Sequence, residues 1–361
     1  MKIVIILGTR PEIIKLSPII REFVRNKTDF TLIHTNQHYS AEMDKIFFDE
    51  LKLPQPNYNL QVGSGTHGMQ TGKMLKRIEK VLLEEKPSIV LVEGDTNTVL
   101  AGALAAAKLK IKVGHVEAGL RSFDKNMPEE LNRVLTDHLS DYCFAPTEIA
   151  KANLLKENIP KEKIFVTGNT IVDAVLMCKE LAEYKVDIFK KFGLKKNNYM
   201  IITAHRPENV NVYERLCNML KGLRFVREKY NVPMIWPIHP RTSKMLNKFN
   251  LSVPEGVKLI APLSYLEFLQ LQANSKVILT DSGGIQEEAC ILNIPCVTMR
   301  DNTERPETIN IESNILVGVN PKKIVDGVDK MLLRNTAWEN PFGDGKASQR
   351  ILEIIKFYLT Q

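Results

Sequence analysis

Three carboxylate side chains follow short apolar segments in the first half of this 361-residue chain. Asp95 comes after one such segment, Glu117 ends the run H-V-E, and Glu129 lies in P-E-E-L-N-R with Arg133 on the same helical face. Asp95 also suits a helix N-cap, and Glu129 suits the positive end of a helix dipole. Hydrophobic packing does not explain why a glutamate, Glu117, ends an apolar strand. Three carboxylates after successive strands therefore predict paired acid–base chemistry.

The segment G-T-R-P-E near the N-terminus has the residues of an anion site. Gly8 follows the first apolar run, Pro11 begins a helix-like stretch, and Arg10 lies at its start. Because the first N–H groups of a helix have no partner within the helix, such a turn attracts phosphate. Lys15 follows one turn later. A plain strand-to-helix turn is an equal alternative from this segment alone.

The motif D-S-G-G-I-Q-E-E, which begins at residue 281, is the most specific element of the second half. Ser282, Gly283 and Gly284 would let the backbone close on a phosphate at a helix N-terminus. Glu287 or Glu288, just inside that helix, would reach the hydroxyl groups of a ribose. A tight turn with Ser282 as N-cap explains neither the two glycines nor the two glutamates.

Two further groups of polar residues follow strands in the second half. His205 and Arg206 lie side by side after one strand, which favours phosphate contact or proton transfer over a purely structural histidine. Residues 300–307 read R-D-N-T-E-R-P-E and include Arg300 and Arg305. That segment is too polar for a simple connection, so it is expected near the same ligand.

Short segments rich in Val and Ile alternate along the chain with longer amphipathic segments, as in a parallel sheet covered by helices on both faces. In the first half we predict strands at 3–7, 31–35, 89–92, 112–116, 142–145 and 164–166. After Gly168 the alternation restarts, with predicted strands at 200–203, 234–237, 257–260, 277–279, 296–299 and 315–317.

The chain is therefore expected to form two doubly wound, Rossmann-like α/β domains. The predicted N-terminal domain covers residues 1–168 and carries the carboxylates, and the C-terminal domain covers residues 169–345. The last amphipathic segment, within residues 346–361, is able to pack on either domain. Ligands of such sheets bind at the carboxyl ends of the strands, so the active site is expected in a cleft between the domains.

Composition excludes several classes of protein. Lys and Arg number 49 against 42 Asp and Glu, a net charge of +7, but no run of five basic residues occurs, so nucleic acid is not expected as a partner. The longest uncharged, mainly apolar stretch, 96–107, is shorter than the ~20 residues of a membrane span. Five cysteines without C-x-x-C spacing indicate reduced thiols in a cytoplasmic protein.

Two apparent cofactor signals do not meet their structural requirements. Residues 63–68 match G-x-G-x-x-G, but no convincing strand precedes them, so we interpret them as a loop. The seven histidines show no zinc-ligand spacing. We therefore expect neither a nicotinamide cofactor nor a metal, and the residues alone predict an enzyme for a phosphorylated, nucleotide-linked substrate.

Seven motifs, taken in order from Gly8 to Glu307, closely resemble those of the non-hydrolysing UDP-N-acetylglucosamine 2-epimerases. They are G-T-R-P-E-x-I-K, G-D-T, H-V-E-A-G-L-R-S, P-E-E-x-N-R, T-x-H-R-x-E-N, D-S-G-G-I-Q-E-E and T-E-R-P-E. The resemblance implies a glycosyltransferase-B-like fold whose C-terminal helix returns to the first domain. It also implies interconversion of UDP-N-acetylglucosamine and UDP-N-acetylmannosamine without a cofactor, in an expected homodimer.

The family's chemistry, as the resemblance implies, is elimination of UDP to 2-acetamidoglucal followed by re-addition of UDP. The proton on carbon 2 of the sugar is not alpha to a carbonyl, so direct deprotonation and return would be too costly. Asp95, Glu117 and Glu129 become the acid–base candidates, with Glu130 as the alternative to Glu129. His205 would contact the diphosphate and stabilise the leaving group.

The resemblance further implies a set of substrate-binding residues. Those expected at the phosphates are Arg10, Ser282, Gly283 and Gly284. Glu288 is expected at the ribose hydroxyls. The basic residues that would complete the cleft are Lys15, Arg133, Arg206 and Arg305.

Bacterial members of the family have a second, regulatory substrate site, and Gln37-His38 resembles part of it. Gln70 stands near the position where an arginine is expected.

Three other functions stay open beside the epimerase. They are a UDP-sugar glycosyltransferase of the same fold, a hydrolysing UDP-N-acetylglucosamine 2-epimerase, and a sugar-nucleotide binder without catalytic activity.

Overall fold

The computed structural model describes residues 2–37 and 47–359, and the chain divides into two compact units. Met1–Ala174 and Phe342–Gln361 form the first unit, and Val175–Pro341 form the second. Each unit is built around its own parallel sheet.

The first unit contains a seven-stranded sheet in the order β3-β2-β1-β4-β5-β6-β7, with every neighbouring pair parallel. Its strands are β1 (Ile3–Leu7), β2 (Phe30–His34), β3 (Tyr58–Asn59), β4 (Ile89–Glu93), β5 (Lys112–Val116), β6 (Tyr142–Ala145) and β7 (Ile164–Val166). Every residue of the central strands β1 and β4 is buried, as expected where helices cover both faces of a sheet.

Helices connect these strands, and residues 47–50 and a 3₁₀ turn at Lys161–Lys163 are also helical. The helices are α1 (Arg10–Arg25), α2 (His67–Glu85), α3 (Asn97–Lys108), α4 (Pro128–Leu139) and α5 (Glu148–Lys156). A sixth helix, α6 (Thr170–Lys185), follows β7 and continues past Ala174 into the second unit. The alanine-rich face of α3 lies against the sheet, where a Cβ added to Gly102 would be 3.0 Å from Val92.

The second unit contains a six-stranded parallel sheet in the order β10-β9-β8-β11-β12-β13. Its strands are β8 (Met200–Thr203), β9 (Met234–Pro237), β10 (Val257–Ile260), β11 (Ile278–Thr280), β12 (Cys296–Thr298) and β13 (Asn314–Leu316). Its helices are α7 (Ile188–Phe192), α8 (Pro207–Val210), α9 (Tyr213–Tyr230), α10 (Pro240–Lys248), α11 (Tyr265–Ala273), α12 (Gly283–Ile291), α13 (Pro306–Asn310) and α14 (Pro321–Leu332).

The final helix, α15 (Ala347–Leu359), belongs to the first unit. The Asp173 carboxylate accepts hydrogen bonds from the Ser348 amide (2.9 Å), the Ser348 hydroxyl (2.6 Å) and the Ala347 amide (3.2 Å), so it caps the start of this helix. Near its other end, the Tyr358 ring packs on Phe165 with ring centroids 5.4 Å apart.

Strand order identifies the ligand-binding edge of each sheet. In the first sheet the order reverses between β1 and β4, and in the second it reverses between β8 and β11. In open α/β sheets, ligands bind beyond the carboxyl ends of the two strands that flank this reversal. The turns after β1 and β4, and those after β8 and β11, therefore position the candidate site residues of their units.

Candidate functional site

The turns after β1 and β4 are joined by the Glu12 side chain. Its carboxylate accepts hydrogen bonds from the Gly8 and Thr9 amides and from the Thr96 hydroxyl, which follows Asp95 directly. Gly8 is required here because a Cβ would lie 2.1 Å from the Thr35 hydroxyl oxygen. Burial raises the pKa of Glu12 to about 7, although these hydrogen bonds lower it.

Lys15 and Glu117 form a buried ion pair. Lys15 lies on α1, and its ammonium contacts Glu117 after β5. The Asn169 amide also donates to Glu117, at 3.2 Å. The backbone of Glu117 has a φ of 70°, an unusual conformation for a residue with a side chain. Such conformations concentrate at functional sites, so the geometry agrees with a specific role for this carboxylate.

Asp95 and Arg133 form a second ion pair at the same edge of the sheet, with 2.5 Å between Arg133 Nη2 and Asp95 Oδ2. Arg133 also pairs with Glu130 at 2.8 Å. Asn132, on the same helix, donates to the Asp95 carbonyl at 2.9 Å. The structure thus brings Asp95 together with Asn132 and Arg133 of the P-E-E-L-N-R motif.

Glu129 and Glu130 have different surroundings. Glu130 is buried and accepts hydrogen bonds from the Ser122 amide (2.9 Å), the Ser122 hydroxyl (3.0 Å) and the Phe123 amide (2.9 Å). Burial raises the pKa of Glu130, but these donors and Arg133 outweigh it, and the net shift is downward. Glu129 is half-buried, and its side chain makes no hydrogen bond to any residue in the described part of the chain. Glu130 therefore organises the loop, which leaves Glu129 as the candidate for chemistry.

A buried histidine–aspartate pair supports the turns that carry these carboxylates. His115 Nδ1 lies 2.6 Å from Asp137 Oδ1, and His115 Nε2 lies 2.8 Å from the Gly94 carbonyl. Asp137 also accepts from the Gly119 amide at 3.2 Å and pairs with Arg121 at 2.7 Å. This network fixes the backbone on both sides of Glu117 and the residue before Asp95.

Arg10 lies at the start of α1, with its guanidinium 4.8 Å from the centre of the Phe47 ring. The Gln70 side chain donates to the carbonyls of Gln37 and Gly63, each at 2.9 Å. His38, of the predicted Gln37-His38 pair, lies outside the described residues.

In the second unit, Asp281 after β11 organises the turn after β8. Its carboxylate accepts hydrogen bonds from the amides of His205 and Arg206, each at 3.0 Å. Burial lowers the pKa of His205; Asp281 opposes that shift, and the charges of Arg206 and the neighbouring basic residues add to it. His205 is therefore neutral at pH 7, with one ring N–H to donate.

The D-S-G-G-I-Q-E-E motif forms the expected strand-to-helix turn. Ser282 has extended backbone and precedes α12, which begins at Gly283, and its side chain makes no capping bond. A Cβ on Gly284 would meet nothing within 4 Å among the described residues, so open space lies beside this helix start. These are the features of a phosphate site at a helix N-terminus.

The glutamates of α12 already have protein partners. Glu288 accepts from the Gln272 amide at 2.6 Å. Glu287 forms a buried ion pair with Arg305 at 2.6 Å. Arg305 is thus held beside the phosphate-type turn by Glu287.

The structure groups the predicted residues by unit. The first unit brings together Lys15 with Glu117, and Asp95 with Arg133; the second brings His205 and Arg206 to the same edge as Ser282. Sequence reasoning gave no role to Glu12, Glu93 or Asp281, which are buried and act on the predicted residues. A signal was present for Asp281 and Glu93, since a carboxylate at the end of an apolar strand lacks a packing explanation.

No three His, Cys, Asp or Glu side chains gather into a potential metal site within residues 2–37 and 47–359. Over the same residues, no helix combines the length and apolar character that crossing a membrane requires.

Comparison with known proteins gives a consistent result. A family model described as UDP-N-acetylglucosamine 2-epimerase matches residues 21–356. The UDP-N-acetylglucosamine 2-epimerase of Methanocaldococcus jannaschii is 59% identical over 363 residues, covering 99% of both chains. UDP-2,3-diacetamido-2,3-dideoxy-D-glucuronate 2-epimerase of Pseudomonas aeruginosa is 41% identical and covers 98% of this chain and 99% of its own.

Among solved structures, that of the M. jannaschii UDP-GlcNAc 2-epimerase in complex with UDP-GlcNAc and UDP superposes with a TM-score of 0.92. It is 60% identical and covers 99% of this chain and 100% of its own. The predicted fold class, two Rossmann-like parallel α/β sheets of the glycosyltransferase-B kind, is thereby confirmed.

Proposed function

The chain belongs to the UDP-N-acetylglucosamine 2-epimerase family, and on that premise we propose that it interconverts UDP-N-acetylglucosamine and UDP-N-acetylmannosamine without hydrolysis. It is an isomerase. The observation that carries the proposal is the pair of salt-bridged carboxylates, Glu117 with Lys15 and Asp95 with Arg133, at the reversal point of the first sheet.

Inversion at carbon 2 of the sugar has to exchange a proton that no carbonyl acidifies. We propose that a carboxylate takes this proton while the electrons of the C–H bond form a double bond between carbons 1 and 2. The bond from carbon 1 to the UDP oxygen breaks as this double bond forms, and its electrons leave with UDP. UDP adds back to carbon 1 of 2-acetamidoglucal, and a proton returns to carbon 2 on the opposite face. No water is consumed.

This sequence needs an acid and a base on opposite faces of the sugar ring. Glu117, Asp95 and Glu129 are the proposed members of that set. The basic partners Lys15 and Arg133 hold the carboxylates of Glu117 and Asp95 in position. Each partner is buried and held in position before substrate arrives, so no reorganisation is required at the moment of proton transfer.

The second unit is proposed to bind UDP. Neutral His205 would donate an N–H to the diphosphate, and the amides of Gly283 and Gly284 at the start of α12 would bind the same oxygens. Arg206 adds positive charge, and Glu288 would accept from the ribose hydroxyls. Stabilising the departing diphosphate lowers the barrier of the elimination step.

Incubation of the protein with UDP-N-acetylglucosamine in deuterated water tests this function. We expect UDP-N-acetylmannosamine to form and deuterium to enter carbon 2 of both sugar nucleotides. A substrate spectrum that stays unchanged would reject epimerisation. Free N-acetylmannosamine with UDP would identify a hydrolysing enzyme, and turnover only after an acceptor is added would identify a glycosyltransferase.

The P. aeruginosa relative is named for a different sugar nucleotide, UDP-2,3-diacetamido-2,3-dideoxy-D-glucuronate. The substrate of this enzyme is therefore tested by assaying both sugar nucleotides side by side. We expect UDP-N-acetylglucosamine to be the better substrate. A higher kcat/KM with UDP-2,3-diacetamido-2,3-dideoxy-D-glucuronate would overturn that choice while leaving the reaction class intact.

We further propose a cytoplasmic homodimer that makes precursors for polysaccharide biosynthesis, with neither nucleic acid nor membrane as a partner. All five cysteines are free thiols, which agrees with a reducing compartment. Leu131 and Leu135 are exposed on one face of α4, with exposed fractions of 58% and 42%, and offer apolar surface for a second copy. Sedimentation equilibrium gives the oligomeric state directly.

A further inference from the structure

Glu93 is the last residue of β4, and neither the sequence motifs nor the mechanism above uses it. Its side chain is almost completely buried, with 2% exposed. Its Oε1 accepts no hydrogen bond from the residues that the structure describes. The Lys15 ammonium lies 3.5 Å from this oxygen. A buried carboxyl oxygen without a donor is uncommon, because it loses its hydration without compensation.

Glu93 and Glu117 both lie within 4 Å of the Lys15 ammonium. The charged and titratable groups that act on Glu93 are Lys15 and Glu12 from α1, Glu117 after β5, and Asp95 in the turn that follows its own strand. Burial raises the pKa of Glu93 well above its ordinary value; Lys15 opposes that rise, and the three carboxylates reinforce it. Burial of an oxygen that has no donor among the described residues therefore favours the protonated form of Glu93.

The protonation state of Glu93 decides how Lys15 is shared. Lys15 contacts Glu117 and lies farther from Glu93. A second carboxylate anion beside the ammonium would compete with Glu117 for it, whereas an uncharged acid competes only weakly. The neutral form thus keeps the ammonium with the carboxylate that we propose exchanges the carbon-2 proton.

We propose that Glu93 is a positioning residue of the epimerase that holds Lys15 on Glu117. The proposal rests on the proposed function of Glu117. In this role Glu93 makes no bond to the substrate and acts only through Lys15. Ionisation of Glu93 would draw Lys15 away from Glu117 and reduce turnover as the pH rises.

Two substitutions test the role. Glu93→Gln keeps the size and polarity of the protonated acid but cannot ionise, and Glu93→Leu removes the polar group. We expect Glu93→Leu to lower kcat about 100-fold, as misplacement of a catalytic group does, with the Kd for UDP changed less than about twofold. Glu93→Gln should restore kcat to within about threefold of the natural protein and abolish the fall in kcat on the alkaline side.

Glu85→Gln is the matched control. Glu85 also pairs with a lysine of the first unit, Lys2, at 2.5 Å, but it lies at the amino ends of the strands. Its substitution should alter stability and leave the pH profile of kcat unchanged. This separates the loss of any glutamate–lysine pair from a loss at Glu93.

The outcomes distinguish the two proposals. If the natural protein forms no UDP-N-acetylmannosamine, the proposed function fails. If it does, and Glu93→Leu keeps full kcat, the positioning role fails alone. The role also fails if Glu93→Gln retains the alkaline decline of the natural protein, because Glu93 would then not be the group that titrates.

Discussion

Glu12 and Glu117 are buried at the same sheet edge, yet their charges are balanced differently. Glu117 contacts a lysine, whereas Glu12 accepts from two backbone amides and a hydroxyl. Neutral donors compensate the burial of an anion less completely than an ammonium does. Burial, which these neutral donors offset only in part, accounts for the pKa of about 7 at Glu12.

Glu12→Gln should remove one source of pH dependence from the stability of the first unit. The folded protein holds a proton on Glu12 up to about pH 7, and the unfolded chain releases it near pH 4.3. Stability therefore falls as the pH rises between these values and levels off above them. From pH 5 to 7.5 the natural protein should lose about 2 kcal/mol relative to Glu12→Gln.

Hydrogen exchange of the amides of β1 and β4 at the two pH values measures this difference. Tryptophan fluorescence would not, because Trp236 and Trp338 both lie in the second unit. Equal pH dependence in the two proteins would contradict the assignment of the high pKa to Glu12.

Glu117→Gln should abolish turnover while keeping the affinity for UDP. The amide cannot accept the carbon-2 proton, and the UDP-binding residues that we propose belong to the other unit. We expect a loss of kcat of about 10²- to 10⁴-fold, the usual contribution of a general base. Calorimetric titration with UDP measures the affinity, and the deuterium assay measures turnover. A fully active variant would show that Glu117 has no part in the mechanism.

Residue types after strands were enough to predict Asp95, Glu117 and His205 as candidates. They were not enough to predict the burial of Glu12 or Glu93, because the sequence cannot show how many carboxylates share one lysine. The roles of all these residues stay predictions until the variants are measured.

At the scale of elements, turns with positive φ determine how close the helices come to the strands. Gly119 has a φ of 84°, and a Cβ there would lie 2.4 Å from the Ala150 carbonyl oxygen of α5. That oxygen is part of a helix backbone and is not free to move aside. The turn between Glu117 and the next helix therefore requires glycine.

Gly119→Ala should destabilise the first unit by at least about 2 kcal/mol, from the strained conformation and the clash with backbone. Gly72→Ala is the matched control, since Gly72 lies within α2 and a Cβ there meets nothing within 4 Å in the described part of the chain. It should stabilise by about 0.5–1 kcal/mol. Thermal unfolding followed by circular dichroism measures both, and similar midpoints would count against the close approach.

Valine- and isoleucine-rich runs predicted the strands well, because both faces of these sheets are covered. Some boundaries moved by one residue: β2 was predicted at 31–35 and lies at Phe30–His34, where Phe30 pairs with Ile3. The two-residue strand β3 was missed, since Tyr58–Asn59 has no apolar run and exists only through pairing with β2. The hydrogen bonds between neighbouring strands decide both the boundary of β2 and the existence of β3, and the sequence of a single segment does not encode them.

At the scale of the whole molecule, the first unit is discontinuous in sequence. It depends on Asp173 and on the packing of α15 for part of its structure. The amphipathic pattern predicted this final helix, but local pattern left its partner open. Which unit it joins is decided by contacts far apart in the chain, such as that of Tyr358 with Phe165.

A chain that ends at Pro341 should lose stability in the first unit and keep it in the second. Removal of residues 342–361 deprives Asp173 of three hydrogen-bond donors and exposes the surface under α15. Hydrogen exchange should show faster exchange in β1 and β6, with β8 and β11 unchanged. Equal losses in both units would show that α15 is needed by the molecule as a whole.

The same discontinuity sets an order for folding during synthesis. Residues 342–361 leave the ribosome after every residue of Val175–Pro341, so the first unit lacks its last helix while the second is already complete. Domains usually fold from the N-terminus onward as they are made. Here the second unit is able to complete its fold before the first. Until residues 342–361 are made, the first unit exposes the apolar surface that α15 later covers, and a chaperone could protect that surface.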